Sequence, residues 1–378
     1  MKIAIVHDWL TGMRGGEKTI DALCRIFPQA EIFTLVYKKG SLNPNIESRP
    51  IHTSFIQKLP NAIEGYRNYL PLFPLAIESF NLDGFDLIIS SSHCVAKAVK
   101  KPKNAYHFCY CYTPMRYAWV FFDQYFGNYS FIKRKIIQLS IHYLKKWDLA
   151  TLKRVDSFIA ISETIRQRIK NIYKRDSVVI YPPVNIDKFS FNPGIKREDF
   201  YLCVSALVPY KRIDIIIEAF NKLKDKKVVI IGSGNIKEEL EKKITSTNIK
   251  MPGWTDDDTL LNYYQKAAGF IFPAEEDFGI APVEAQSTGL PVIAFGRGGN
   301  TETVIGINNL KKSQEPTGIF FYEQTADSLI SCINEFESKK SEFNPIHVRE
   351  NALKFSDENF VKNIKNFIQK AIGNKYAF

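Results

Sequence analysis

The stretch Pro273-Ala-Glu-Glu-Asp-Phe-Gly-Ile-Ala-Pro-Val-Glu-Ala-Gln-Ser-Thr-Gly-Leu-Pro-Val-Ile-Ala294 decides how the rest of the chain is read. An apolar run ending at Phe272 predicts a buried strand. Residues from Ile280 to about Thr288 predict a helix closed by Gly289, and Pro291 to Ala294 the next strand. Glu276 then falls in the loop after one strand, and Glu284 on the first turns of the following helix. In an open α/β sheet this is the carboxyl edge, where ligands bind. Gly279 lets the backbone come close to a ligand, and the helix start offers free N–H groups to an anion.

Working outward, two series of short apolar runs separated by helix-length segments predict two mostly parallel sheets. The first has strand candidates at 3–6, 32–35, 87–90, 105–111, 157–161 and 178–180, the second at 201–204, 228–231, 270–272, 292–294 and 318–321. Between them Tyr181-Pro182-Pro183-Val184 cannot continue a helix and reads as a linker. A length of 378 residues suits two domains, and 45% apolar content is enough for two cores. No apolar run is long enough to span a membrane, and the N-terminus reads as a first strand rather than a signal peptide. The six cysteines form no CxxC pair, which fits reduced, buried thiols in a cytosolic protein.

Charge is unevenly spread. Residues 1–185 carry 26 Lys and Arg against 14 Asp and Glu, whereas residues 186–378 carry 25 against 26. A basic half implies an anionic neighbour. Within it, Trp119, Phe121, Phe122, Tyr125, Phe126, Tyr129, Phe131, Lys133, Arg134, Lys135, Tyr143, Lys145, Lys146 and Trp147 interleave rings and cations. Such a stretch either lies in the headgroup layer of an anionic membrane or forms an aromatic core helix with solvated lysines. No RNA- or DNA-binding module is recognisable, so nucleic acid is not an expected partner.

The 273–294 block, with Phe278, Gly279, Ala285, Gly289 and Pro291 around its two glutamates, resembles the EX7E motif of family 4 of the retaining glycosyltransferases. The resemblance implies an α/β protein of the GT-B fold, two Rossmann-like domains facing each other across a cleft. Residues 1–183 would form the acceptor-binding domain and 184–356 the nucleotide-sugar-binding domain, with a C-terminal helix, 357–378, crossing back to the first. It also implies that Glu276 lies beside the donor sugar, that Glu284 bonds the ribose, and that Phe278, Gly279 and Ile280 line the donor site.

The string Val204-Ser-Ala-Leu-Val-Pro-Tyr-Lys-Arg-Ile-Asp214 resembles the family segment G-R-L-V-P-x-K-G, whose cations grip the diphosphate. Lys211 matches the lysine. Ser205 and Ala206 replace Gly-Arg, so either Arg212 substitutes for the missing cation or Lys211 acts with backbone amides. Gly232-Ser-Gly234 fits a loop passing close to the nucleotide, and Trp254 stands where the family meets the base. The turn Gly298-Gly299-Asn300 lines the donor pocket or simply opens a helix. In the first half, Gly15 and Gly16 occupy the place of an acceptor-side glycine loop, with His7 and Asp8 just before it read as structural.

The run Cys109-Tyr-Cys-Tyr-Thr-Pro-Met-Arg-Tyr-Ala-Trp119 resembles a signature of O-antigen and exopolysaccharide mannosyltransferases, with Tyr112 in place of their histidine. Tyr112 is expected to offer its hydroxyl to the sugar, Arg116 to contact a phosphate-bearing acceptor, and His107 to be structural. Asp256-Asp257-Asp258 reads as a helix cap and first turn rather than a metal site.

The resemblance implies a metal-independent retaining enzyme with no cofactor beyond its nucleotide-sugar co-substrate, which the likeness to the mannosyltransferases suggests is GDP-mannose. The acceptor would be a lipid-linked glycan of bacterial polysaccharide or lipopolysaccharide biosynthesis. The enzyme would be cytoplasmic, held peripherally on the inner face of the membrane. The alternatives are a UDP-sugar-dependent transferase, a GT-B sugar-nucleotide epimerase, and a non-catalytic glycan- or lipid-binding protein.

Overall fold

The computed structural model describes residues 1–119, 130–311 and 313–373. Phe121, Phe122, Tyr125, Phe126 and Tyr129 of the aromatic–basic stretch lie outside the described residues, as do the side chains of Phe131 and Lys133.

The chain forms two compact units, residues 1–183 with 358–378, and residues 184–357. The first holds seven strands: β1 (Ile3–His7), β2 (Glu31–Thr34), β3 (Ile51–Thr53), β4 (Leu87–Ser92), β5 (Tyr106–Cys111), β6 (Ser157–Ala160) and β7 (Ser177–Val179). They pair in the order β3-β2-β1-β4-β5-β6-β7, every neighbour parallel. The second unit holds six: β8 (Tyr201–Val204), β9 (Val228–Ile231), β10 (Ile249–Gly253), β11 (Gly269–Phe272), β12 (Val292–Phe295) and β13 (Gly318–Phe321), in the order β10-β9-β8-β11-β12-β13, again all parallel. β3 and β10 were not among the expected strands. Both are edge strands with exposed positions, so neither carries the apolar run that marks its neighbours.

Central strands such as β1 and β11 are buried at every position because helices cover both sheet faces. In the second unit Cys203, Ile230, Ile271 and Ile293 turn to one face with Phe220 and Phe336. The alternate residues Leu202, Phe270, Phe272 and Ala294 turn to the other, with Phe189, Tyr264 and Ala285. In the first unit, the C-terminal helix Asp357–Ile372 packs its Phe360 ring edge-on against Tyr110, 5.7 Å between centroids, and its Phe367 against Phe108 at 5.8 Å. That helix is amphipathic, burying Phe360, Ile364 and Ile368 at the helical period of four. All six cysteines are buried and none is in a disulfide.

In each sheet the strand order reverses at one point: between β1 and β4, and between β8 and β11. Loops leaving the two strands diverge there and open a crevice at their carboxyl ends. Two doubly wound parallel units of this kind are what the GT-B fold is built from. Among the described residues no helix is long and apolar enough to cross a membrane.

Candidate active site

The second reversal point, between β8 and β11, brings together two of the residues singled out in the C-terminal half. The loop after β8 carries Lys211 and the loop after β11 carries Glu276. The Lys211 ammonium lies 2.6 Å from Glu276 Oε1, each side chain only 16% exposed. Phe272 and Tyr210 rings stand 5.4 and 5.5 Å from the Lys211 nitrogen. A cation set between rings and close to one carboxylate is poorly hydrated, so its field on a neighbouring anion is strong.

Arg212 adopts a left-handed backbone, φ 54°: its guanidinium pairs with Asp214 at 3.2 Å and donates to the Gln324 carbonyl at 3.3 Å. Lys211 thus stands beside Glu276, while Arg212 is bonded to Asp214 and Gln324. The loop after β9 closes on the same turn. A Cβ on Gly232 would sit 1.8 Å from the Ser205 carbonyl oxygen, and one on Gly234 2.0 Å from that of Leu207. Only glycine permits this backbone-to-backbone approach. Trp254, just beyond Gly253, is 76% exposed.

Glu276 is held through its backbone. Its carbonyl accepts from Gly299 N–H at 2.7 Å, and it bridges Gly298, whose φ is 65°. A Cβ on Gly299 would lie 2.4 Å from Phe278 Cα. Buried Asn300 then ties the layers together, donating to the carbonyls of Ala274 at 2.8 Å and Phe295 at 3.0 Å. The Gly298-Gly299 turn thus both opens a short helix and clamps the Glu276 loop. Asn300 was present in the sequence as part of that turn, but its bracing role depends on strands far from it.

Gly279, φ 91°, starts the helix Ile280–Ser287, which carries Glu284 at 8% exposure. Burial, with the Glu284 charge adding to it, pushes the ionisation of fully buried Tyr264 well above its ordinary range. Asp256 caps the helix Asp257–Lys266, accepting from Thr259 N–H at 2.9 Å, and Asp257 pairs with Lys188. The aspartate run is thus accounted for by helix chemistry. Among the described residues no group of three His, Cys, Asp or Glu could hold a metal ion.

Near the first reversal point, between β1 and β4, stand Gly15, Gly16 and Tyr112, three of the residues expected on the acceptor side. Gly15 and Gly16 open the helix Gly15–Ile26, and Glu17 Oε2 accepts from Arg14 N–H at 3.1 Å. Gly16 lies against Tyr112 and His7: a Cβ there would meet them at 3.9 and 3.3 Å. Tyr112, expected to offer its hydroxyl to a sugar, is already engaged as a donor inside this unit. Its hydroxyl donates to Gly16 O at 3.1 Å and lies 2.8 Å from Ser91 Oγ, so its one proton is used inside the domain. Arg116, half-buried, opens the short helix Arg116–Trp119. His107 is structural: fully buried, it donates from Nδ1 to Arg154 O and accepts at Nε2 from Ser90 Oγ, both at 2.8 Å.

Residues 185–354 match the family model described as Glycosyl transferases group 1. The chain is 29% identical to an uncharacterised glycosyltransferase of Methanocaldococcus jannaschii, over 49% of this chain and 52% of that protein. It is 29% identical to the GDP-mannose-dependent monoacylated alpha-(1-6)-phosphatidylinositol monomannoside mannosyltransferase of Corynebacterium glutamicum, over 40% of this chain and 47% of the other. It therefore spans about half the length of these curated relatives. Among solved structures it superposes on HepE of Anabaena in complex with UDP, with a TM-score of 0.70 at 15% identity, covering 98% of this chain and 100% of that one.

Proposed function

We propose that this chain is a retaining glycosyltransferase of family 4 that moves mannose from GDP-mannose to a lipid-linked glycan. The observation that carries the reading is the Lys211–Glu276 pair, 2.6 Å apart at the reversal point of the second sheet and beside the helix that begins after Gly279. A leaving diphosphate needs positive charge, and Lys211 with the first N–H groups of that helix supplies it, so the reading needs no metal. Glu276 orients the sugar, and Glu284 holds the ribose, with Trp254, Gly232 and Gly234 around the nucleotide. The bond from the anomeric carbon to the diphosphate oxygen breaks as the acceptor oxygen bonds to the same face. The departing diphosphate takes the hydroxyl proton. The relative named as GDP-mannose-dependent favours mannose.

A second reading, a UDP-sugar donor, is favoured by the solved structure named with UDP. Thermal unfolding with GDP or UDP, followed by a sugar-nucleotide panel with product analysis, separates the two. GDP is expected to raise the transition more than UDP; at a concentration of 100 times Kd the gain is about 2.7 kcal/mol. A larger shift with UDP reassigns the donor. Release of an isomer without acceptor would make the protein an epimerase, and no turnover of any donor would leave it a binding protein.

The net positive charge of the first unit favours an anionic surface, where a lipid-linked acceptor would be presented. Its helix Phe131–Ala150 exposes Leu139 at 74% and Tyr143 at 52%, with Lys135 and Lys146 also exposed. Attachment to the cytoplasmic face of the membrane is part of the same proposal.

A further inference from the structure

The loop after β4 holds a residue that the motif reading passed over. Asp8, just after β1, is fully buried, and its two oxygens accept four backbone N–H groups: His93 at 2.7 Å, Cys94 at 2.9 Å, Val95 at 2.7 Å and Ala96 at 2.8 Å. The same carboxylate lies 3.0 Å from His93 Nδ1. Burial works to raise the Asp8 pKa, but His93, His7 and these hydrogen bonds outweigh it and hold the carboxyl down at about 2. Asp8 is thus a fixed anion, and in the neutral imidazole it holds the Nδ1 proton toward itself. The lone pair is then on Nε2, for which no partner is seen among the described residues.

His93 is not sealed away: its side chain is 32% exposed. Trp9 meets it edge-on at 4.4 Å, while the Tyr112 and His7 rings stand 6.2 and 6.0 Å off. Asp8 and His93 follow β1 and β4, the two strands whose loops diverge at the first sheet's reversal point. A parallel sheet binds ligands there. Tyr112, the residue first expected to meet a sugar from this unit, has its proton committed to Gly16 O.

We propose that His93, aligned by Asp8, accepts a hydrogen bond through Nε2 from a hydroxyl of a sugar substrate at the carboxyl edge of the first sheet. The assignment rests on the transferase reading. The hydroxyl belongs either to the transferred sugar or to the acceptor; both present the same donor group to the imidazole.

Two substitutions separate this role from a structural one. His93→Asn keeps a donor near Nδ1 for Asp8 but removes the outward acceptor. His93→Gln gives up the Asp8 contact but puts an amide oxygen near the place of Nε2. The full-length protein is assayed for transfer with the sugar nucleotide that the wild type uses, and for acceptor-free hydrolysis of that donor. H93N is expected to lose about 10- to 100-fold in kcat/KM, the size of one well-placed hydrogen bond, while H93Q retains more than H93N. Parallel loss of hydrolysis assigns the hydroxyl to the donor sugar; loss of transfer alone assigns it to the acceptor. Wild-type kcat/KM in H93N, or H93N outperforming H93Q, overturns the inference while the transferase reading stands. A wild type inert toward every sugar nucleotide overturns both.

Discussion

Lys211 and Glu276 are surface-type residues that the fold has drawn mostly out of water, each 16% exposed and each the other's counter-charge. Removing either leaves its partner with an uncompensated charge in a poorly hydrated place, and removes a group that the proposed transition state needs. Lys211→Ala and Glu276→Gln are expected to lower kcat/KM by about 100-fold or more, in initial-rate assays on protein whose circular dichroism is unchanged. Full activity in either variant would remove that residue from the site.

His107 makes a different prediction at the same scale. Burial pushes its pKa down to about 4, and both ring nitrogens are already satisfied in the neutral form. In the unfolded chain a histidine titrates near 6.5. The folded state therefore refuses a proton that the unfolded state accepts, so the contribution is full above about pH 6.5 and is lost as pH falls toward 4. A drop of roughly 2.5 in pKa, at about 1.4 kcal/mol per unit, makes up to about 3 kcal/mol of acid destabilisation. Urea midpoints between pH 7 and 4.5 should fall accordingly, and His107→Gln, though less stable at pH 7, should show a shallower slope. An unchanged slope would mean that His7, whose pKa burial also lowers, carries the effect.

Among the elements, the turns after parallel strands matter more than the strands. The loops after β8 and β9 touch backbone to backbone, and Gly232 reaches that contact at φ 151° with no room for a Cβ. Gly232→Ala must part the two loops. A loss of about 2–3 kcal/mol is expected from the second unit by calorimetry, together with weaker nucleotide binding. Gly194→Ala, where a Cβ meets only the Asn192 side-chain oxygen at 3.3 Å, is the control and should change stability by less than about 0.5 kcal/mol. The glycine pair at 232 and 234 was visible as a motif. That it braces the turn carrying Lys211, rather than only lining a ligand, required the packing of two loops.

Over the whole molecule, the charge follows the units more sharply than the halves of the sequence. The first unit, which includes the C-terminal helix, has 30 Lys and Arg against 15 Asp and Glu; the second has 21 against 25. The protein is expected to co-sediment with vesicles containing anionic phospholipid, to release them as salt rises, and to ignore zwitterionic ones. Lys135→Glu with Lys146→Glu should weaken binding by about tenfold or more, at about 1 kcal/mol per cation near the surface. Equal binding to neutral vesicles would show that charge is not what attracts the protein.

The sequence by itself determined two parallel α/β series, the break at Pro182-Pro183, and the loops bearing Lys211, Glu276 and Glu284. Those are local properties: apolar runs, proline and glycine punctuation, and spacing along one stretch of chain. Only the tertiary structure decided which groups are used up. It bound the Tyr112 proton to Gly16, turned Arg212 to Asp214, set Asn300 as a brace, and brought Asp8 to His93. Each depends on loops from strands that are neighbours in the sheet but distant in the chain. Whether a polar group is satisfied or left to meet a ligand is settled by those neighbours, not by its type.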